Sequence, residues 1–345
     1  MGLADIIIKF ILVVIIFLIS LLIALYSTYA ERKVAAFFQD RLGPNRAGPF
    51  GIFQPFADGG KMFLKEEIIP ANASAFLFVA GPSLSIFTAC IGSAVIPWGQ
   101  NLVIGGHVIP LQVTDINVGV LYILGVVSLG VYGVMIGGWA SNNKYSLLGA
   151  IRAASQNISY EISMGLAIIA LLMTTGTLSL KEIAAQQHGF WYHGWFTWNF
   201  FKQPLGFLLF IVCAFAETNR TPFDLPECET ELIGGYHTEY SSMKLGFYLF
   251  SEYINMFISG AVMATLYFGG YNFPGMHFFS GNTLAIVGVL VLFAKIAFFI
   301  FFFMWVRWTI PRFRYDQLMD LGWKTLIPLA IANIVITGIV ITFFK

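Results

Sequence analysis

Ala216-Glu217-Thr218-Asn219-Arg220-Thr221-Pro222-Phe223-Asp224-Leu225-Pro226-Glu227-Cys228-Glu229-Thr230-Glu231 joins one apolar stretch to the next, and Glu239 follows in Thr238-Glu239-Tyr240. Six of the chain's 18 acids fall between Glu217 and Glu239, in a chain only 11% charged. So much carboxylate beside hydrocarbon-length segments marks a place where protons or cations are handled. The flanking stretches set the class of molecule. Hydrophobic residues make up 58% of the chain, 35 of them Phe, against about 45–50% in soluble globular proteins. The chain reads as an all-α polytopic membrane protein.

Working outward, apolar runs long enough to cross about 30 Å of hydrocarbon fall near residues 6–26, 76–97, 118–139, 158–175, 204–216, 246–268, 284–306 and 325–344. That predicts about eight spans in a single membrane domain, residues 1–345. The fifth run is short and ends in Glu217, so its helix must continue through polar residues or stop within the membrane. The first run exceeds the 7–15-residue core of a signal peptide and reads as a retained span. Arg32, Lys33, Arg41, Arg46, Lys61, Lys65, Lys144, Arg152, Arg220, Lys244, Arg307, Arg312, Arg314 and Lys324 all lie in alternate loops, near 27–75, 140–157, 217–245 and 307–324. Lys9, Lys181, Lys202 and Lys345 lie on the other face. The positive-inside rule places the first set in the cytoplasm and both termini outside. The acidic segment is then cytoplasmic, and loops one and five are long enough to fold over that mouth.

Several function classes drop out. A net charge of +1 offers no basic field for nucleic acid. Cys90, Cys213 and Cys228 are far apart and have no histidine at ligand spacing, so no disulfide framework, zinc site or iron–sulfur cluster follows, and no other metal site is expected. No histidine pair has haem-ligating spacing, although a lone axial histidine stays open. Glycine motifs for dinucleotides or phosphates are missing from the sequence. The chain carries no evident redox cofactor of its own.

Glu161, Glu217 and Glu252 fall at or inside predicted spans, where an unpaired charge costs several kcal/mol. They read as a proton relay with carboxyl groups perturbed by burial and mutual repulsion, or as buried acids paired with a cation or a neighbouring helix. Lys295, near the middle of the seventh run, needs a carboxylate partner or a wet cavity. Glu227 and Glu231 are four apart and would share a helix face, with Glu229 turned elsewhere. Two like charges on one face favour a shared proton; a solvated acidic loop is the alternative, above all for Glu229 and Glu239.

Loop one runs through Glu31-Arg32-Lys33, Gln39-Asp40-Arg41-Leu42-Gly43-Pro44-Asn45-Arg46 and Gly51-Ile52-Phe53-Gln54-Pro55-Phe56-Ala57-Asp58-Gly59-Gly60-Lys61. Gly43-Pro44-Asn45 signals a turn between two charged arms. Phe37, Phe38, Phe50, Phe53, Phe56 and Phe63 interleaved with charge suit an amphiphilic ligand, and equally an interfacial amphipathic segment. The arginines of Val306-Arg307-Trp308-Thr309-Ile310-Pro311-Arg312-Phe313-Arg314 suit a soluble partner or lipid headgroups. The external Phe190–Trp198 run reads as an aromatic belt.

Taken together, Glu31-Arg32-Lys33 with Arg41-x-Gly-Pro-Asn, the Gly51–Lys61 run, Ser159-Tyr160-Glu161, Ala216–Glu227 and Pro311-Arg312-Phe313-Arg314-Tyr315-Asp316-Gln317-Leu318-Met319 resemble the H-subunit family of proton-pumping NADH:quinone oxidoreductase, whose mitochondrial relative is subunit 1 of complex I. The resemblance runs from the first span to the last. It implies an eight-helix component of a bacterial inner-membrane respiratory translocase, at the junction of the hydrophilic and membrane arms. By motif match, Arg32, Arg41, Asp58 and Arg307 would shape a quinone cavity. Glu161, Glu217, Asp224, Glu227, Glu229, Glu231 and Glu252 would form the acidic route coupling quinone reduction to proton translocation. The family implies quinone as substrate, flavin and iron–sulfur clusters on hydrophilic partner subunits at the cytoplasmic face, antiporter-like membrane subunits, and lipid. Cys228 stands where a small residue such as Gly or Ala is expected. From the residues alone a stand-alone proton or cation transporter remains an alternative, as do a structural anchor for a soluble enzyme and the membrane subunit of a hydrogenase- or ferredoxin-driven complex.

Overall fold

The structure is a computed structural model that describes residues 3–104, 107–188, 197–227 and 229–344. Residues 190–196 of the aromatic run, Cys228 and Lys345 lie outside the described residues, as does the side chain of Glu229.

Every apolar run falls on a helix. The first, α1 (Leu3–Phe38), has 36 residues, about 54 Å at 1.5 Å per residue. That is far longer than the hydrocarbon layer, so its last turns carry Glu31, Arg32 and Lys33 beyond it. Loop one then folds back through α2 (Gln54–Leu64), tied to α1 where the Tyr29 hydroxyl donates to the Phe50 carbonyl at 2.6 Å. α3 (Ala75–Gly92) and α4 (Gly119–Ala140) are joined by a segment containing a small antiparallel hairpin, β1 (Leu102–Ile104) with β2 (His107–Ile109), in which Val103 opposes Val108.

α5 (Lys144–Thr175) begins well before the apolar run at 158. Asn143 caps it by accepting from the Tyr145 amide at 2.9 Å, and left-handed Gly176 ends it. α6 (Leu180–Gln186), α7 (Asn199–Lys202), the short apolar α8 (Pro204–Glu217) and α9 (Glu229–Leu232) follow. Then come α10 (Ser242–Tyr267), α11 (Gly281–Thr309), α12 (Tyr315–Asp320), a π-helical turn at Leu321–Leu326 and α13 (Ile327–Phe344). Seven of these helical segments, α12 to α13 counted as one, are long and apolar enough to cross a membrane; α8 is the shorter eighth. The expected all-α polytopic architecture is what the described residues form.

α10 is the centre of the bundle, with Ile254, Phe257, Ala261, Met263 and Leu266 fully buried. It packs against α3, α11 and α1, while α5 packs against α4, α8 and α13. Close approach depends on missing side chains: a Cβ at Gly137 of α4 would lie 1.9 Å from the Tyr248 hydroxyl oxygen of α10. That hydroxyl donates to the Gly133 carbonyl at 3.0 Å, fixing α10 against α4.

Lys295 departs from its expected chemistry. Its ammonium donates to the carbonyls of Phe268, Gly270 and Asn272 at 2.7, 2.7 and 2.6 Å. These carbonyls belong to the C-cap of α10 and the turn after it, so the lysine ties that turn together instead of pairing with a carboxylate. Sequence cannot show this, because the acceptors are backbone atoms gathered by the chain's turn after Tyr267.

Candidate functional site

The acidic segment is held from two sides. Asn219 takes a left-handed conformation as the chain leaves α8. Gln156 of α5, fully buried, donates through Nε2 to the Ala216 carbonyl at 2.7 Å, the Phe223 carbonyl at 2.9 Å and Asn219 Oδ1 at 3.3 Å. From the other side, the Phe313 amide donates to the Pro222 carbonyl at 3.2 Å and Arg312 Nη2 reaches Asp224 Oδ2 at 3.0 Å. Gly235 completes the cradle. At φ 58, with any Cβ falling 1.6 Å from the Pro226 carbonyl oxygen, only glycine fits there.

Inside this frame Arg220 is 4% exposed and binds acids from two membrane helices. Its Nη1 lies 3.1 Å from Glu31 Oε2 of α1, and its Nη2 lies 3.9 Å from Glu252 Oε2 of α10. Its guanidinium stacks 4.1 Å from the ring centre of Tyr253, whose hydroxyl donates to Glu31 Oε2 at 2.8 Å. Arg307 Nη1, at the end of α11, reaches the other Glu31 oxygen at 2.5 Å. Tyr236 donates to Glu252 Oε1 at 3.1 Å, and Glu227 stands 3.5 Å from His237 Nδ1. Burial works against the charge on Arg220, but Tyr253, Glu31 and Glu252 together raise its affinity for the proton and keep it cationic. Asp224 is pushed up to about 7, first by burial and then by Glu227, against the pull of Arg312, Arg307 and Arg220. It therefore titrates near neutrality.

Glu217 and Glu252 line one cavity of about 30 Å³, together with Asn157, Asn219, Tyr236 and Asn255. A water needs about 10–15 Å³ and two to four polar partners, and this wall supplies both. Asn157 Oδ1, Arg220 Nε and Nη2, and Asp224 Oδ1 make no hydrogen bond among the described residues. Glu161 sits one helix over, accepting from the Ser128 hydroxyl of α4 and near enough to Glu217 to repel it.

Not every predicted residue joins this cluster. Because α9 begins only at Glu229, Glu227 and Glu231 share no helix face. Glu227 turns toward His237 and Glu252, whereas Glu231 pairs with Arg152 at 2.6 Å in a half-exposed bridge. Glu239 accepts from Asn143. Of the four residues grouped as cavity-lining, Arg307 meets the buried cluster. Arg32 and Lys61 instead clamp Asp58, each at 2.6 Å, across α1 and α2. Burial opposes ionisation of Asp58, but Lys61, Arg32 and Gln54 outweigh it and hold the carboxyl below its ordinary 3.8. Arg41 stands apart on Gln39 at 2.7 Å. Sequence reasoning missed Glu31, Arg220, Tyr253, Arg312 and Gln156 as site residues. A usable signal existed for Arg220: a cation between acids at the end of an apolar helix needs partners.

A carboxylate–arginine cluster at the mouth of a helical bundle fits several membrane machines, and likeness to known chains separates them. The family model described as NADH dehydrogenase matches residues 10–338. The chain belongs to the NADH dehydrogenase family. It is 68% identical over 338 residues to the NADH-quinone oxidoreductase H subunit 1 of Cytophaga hutchinsonii, covering 97% of each chain. It is 64% identical over 349 residues to the NADH-quinone oxidoreductase H subunit of Flavobacterium psychrophilum, covering 100% of each. Against the H subunit 2 of Geobacter metallireducens the identity is 49% over 342 residues, covering 96% of this chain and 94% of the other. The NADH dehydrogenase match thus takes in α1, the acidic segment, α10 and the α11–α12 connection, the elements that build the cluster.

Proposed function

We propose that this chain is the membrane subunit of a respiratory NADH:quinone oxidoreductase that helps form the quinone cavity and couples quinone reduction to proton translocation. The observation that carries this reading is Arg220, which ties Glu31 at the head of loop one to Glu252 inside the membrane. Reducing quinone to quinol takes two electrons and two protons. Electrons come from flavin and iron–sulfur clusters on hydrophilic subunits docked at the cytoplasmic face; antiporter-like membrane subunits lie alongside. This chain's part is to hold the quinone through loop one and to pass the change in charge inward.

In this reading Arg32, Asp58 and Arg41 shape the approach to the quinone headgroup. Arg307 shares Glu31 with Arg220, so a change in charge near loop one alters the field that Arg220 presents to Glu252. Glu252 and Glu217 face the same small polar cavity, through which a proton can pass by way of water. Asp224, titrating near neutrality beside Arg312, exchanges protons with the cytoplasmic side. Glu161, Glu227, Glu229 and Glu231 extend the acidic surroundings. Both termini face the outside in this reading, which the lysine and arginine asymmetry supports.

Glu217→Gln and Glu252→Gln test the coupling in inverted membrane vesicles. Electron transfer from NADH to quinone is expected to continue at reduced rate while protons pumped per electron fall severalfold. Full reduction with full pumping in both variants would falsify the relay.

A further inference from the structure

On the opposite half of the bundle, α1, α10, α11 and the segment after α3 enclose a cavity of about 180 Å³. Leu12, Ile16, Ile19, Trp98, Phe257 and Phe293 form most of its wall, which presents no polar atom. Its floor is rigid: Trp98 stacks on Phe257 and Phe293 with ring centres 5.5 and 5.8 Å apart. An apolar cavity of roughly 150 Å³ stays dry and takes up hydrocarbon instead. Phe257 lies ten residues before the end of α10, about 15 Å along the axis, so the cavity sits within the apolar layer. It is reached from the side, because Ile15 forms part of its rim and is 49% exposed.

A cation stands near one end. Lys9 precedes Leu12 by three residues and shares the α1 face with Leu12, Ile16 and Ile19. It is half-buried and makes no ion pair among the described residues. Its flexible stem lets the ammonium rise to the headgroup layer. We propose that this is a phospholipid site: one acyl chain fills the cavity, and Lys9 meets the phosphate of that same lipid in the leaflet at the amino-terminal end of α1. A cation above a dry, laterally open, hydrocarbon-sized cavity complements an anionic headgroup on an apolar tail. The lipid then packs α1 against α11, and α1 is the helix whose far end carries Glu31.

The test uses the intact complex in native membranes and a phosphatidylglycerol carrying a diazirine in one acyl chain. After photolysis, peptide mapping is expected to find label concentrated on residues 12–19 and 289–293. Val289→Trp, which fills the cavity, is expected to lower that label about tenfold, and Lys9→Gln to lower it about threefold, without altering label elsewhere on the chain. Label spread evenly over the lipid-facing helices of the unaltered complex would overturn the proposal, whether or not Val289→Trp assembles. Displacement of the label by excess quinone but not by excess unlabelled phosphatidylglycerol would overturn it too, making the cavity a quinone-tail site.

Discussion

Two arginine–carboxylate pairs stand near the same end of α1, and the shorter is the weaker. Arg32 meets Asp58 at 2.6 Å with their side chains 52% and 21% exposed; Arg220 meets Glu31 at 3.1 Å with side chains 5% and 9% exposed. The outer pair is open to water on the Arg32 side, where a Coulomb gain is screened and both side chains give up freedom. The inner one holds charges already stripped of water, so each partner is indispensable to the others. Adjacent residues of one helix, Glu31 and Arg32, therefore belong to different electrostatic regimes.

The sharpest break in that contrast is Arg220→Gln. It leaves Glu31 with the Arg307 cation and the Tyr253 hydroxyl, and Glu252 without its arginine, a loss on the order of 3–5 kcal/mol for a buried network. Assembled complex in the membrane is expected to fall to a small fraction, read by native gel and NADH:quinone reductase activity. Arg220→Lys keeps the charge but loses the planar stack on Tyr253, so it should recover part of the assembly and less of the pumping. Equal recovery of both would mean that charge alone matters there.

A pH series separates the regimes next. Asp224 has its proton affinity raised to about 7 from 3.8 by burial and Glu227. The stability this protonated acid contributes is complete below 3.8 and is lost as pH rises through about 7. Thermal inactivation of the complex should accelerate between about pH 4 and about pH 7 and level off above that, and Asp224→Asn should flatten that slope. An unchanged slope in the variant would place the titrating group elsewhere.

Sequence pattern made the membrane class and the eight apolar runs readable, since hydrocarbon demands long apolar helices wherever the chain crosses it. Helix ends beyond the hydrocarbon were less legible. Lys144–Asn157 is mixed in polarity, so nothing in an apolar-run reading extends α5 back to Lys144. The site was legible as an inventory of acids but not as a wiring diagram. Which acid Arg220 serves depends on Glu31, 189 positions away, and on the turn that Gln156 imposes by gripping three atoms of the segment. The face-sharing of Glu227 and Glu231 failed for a local reason: Pro226 and Gly235 shape the chain there, and the helix begins only after both Pro226 and Glu227.

The smallest effect belongs to the outer pair. Arg32→Gln should cost no more than about 1 kcal/mol of stability, and that cost should vanish as salt screens the exposed charges. Asp58 is the converse of Asp224: its lowered proton affinity means that its contribution is present above 3.8 and is lost as pH falls through its depressed value. Arg32→Gln should not disturb assembly at neutral pH. If loop one holds the quinone, however, Arg32→Gln should raise the KM for quinone severalfold while kcat stays near that of the unaltered complex, because a positioning contact has been lost and the inner network has not. A fall in kcat with unchanged KM would instead tie Arg32 to the buried network through its neighbour Glu31, and the two pairs would have to be treated as one coupled system.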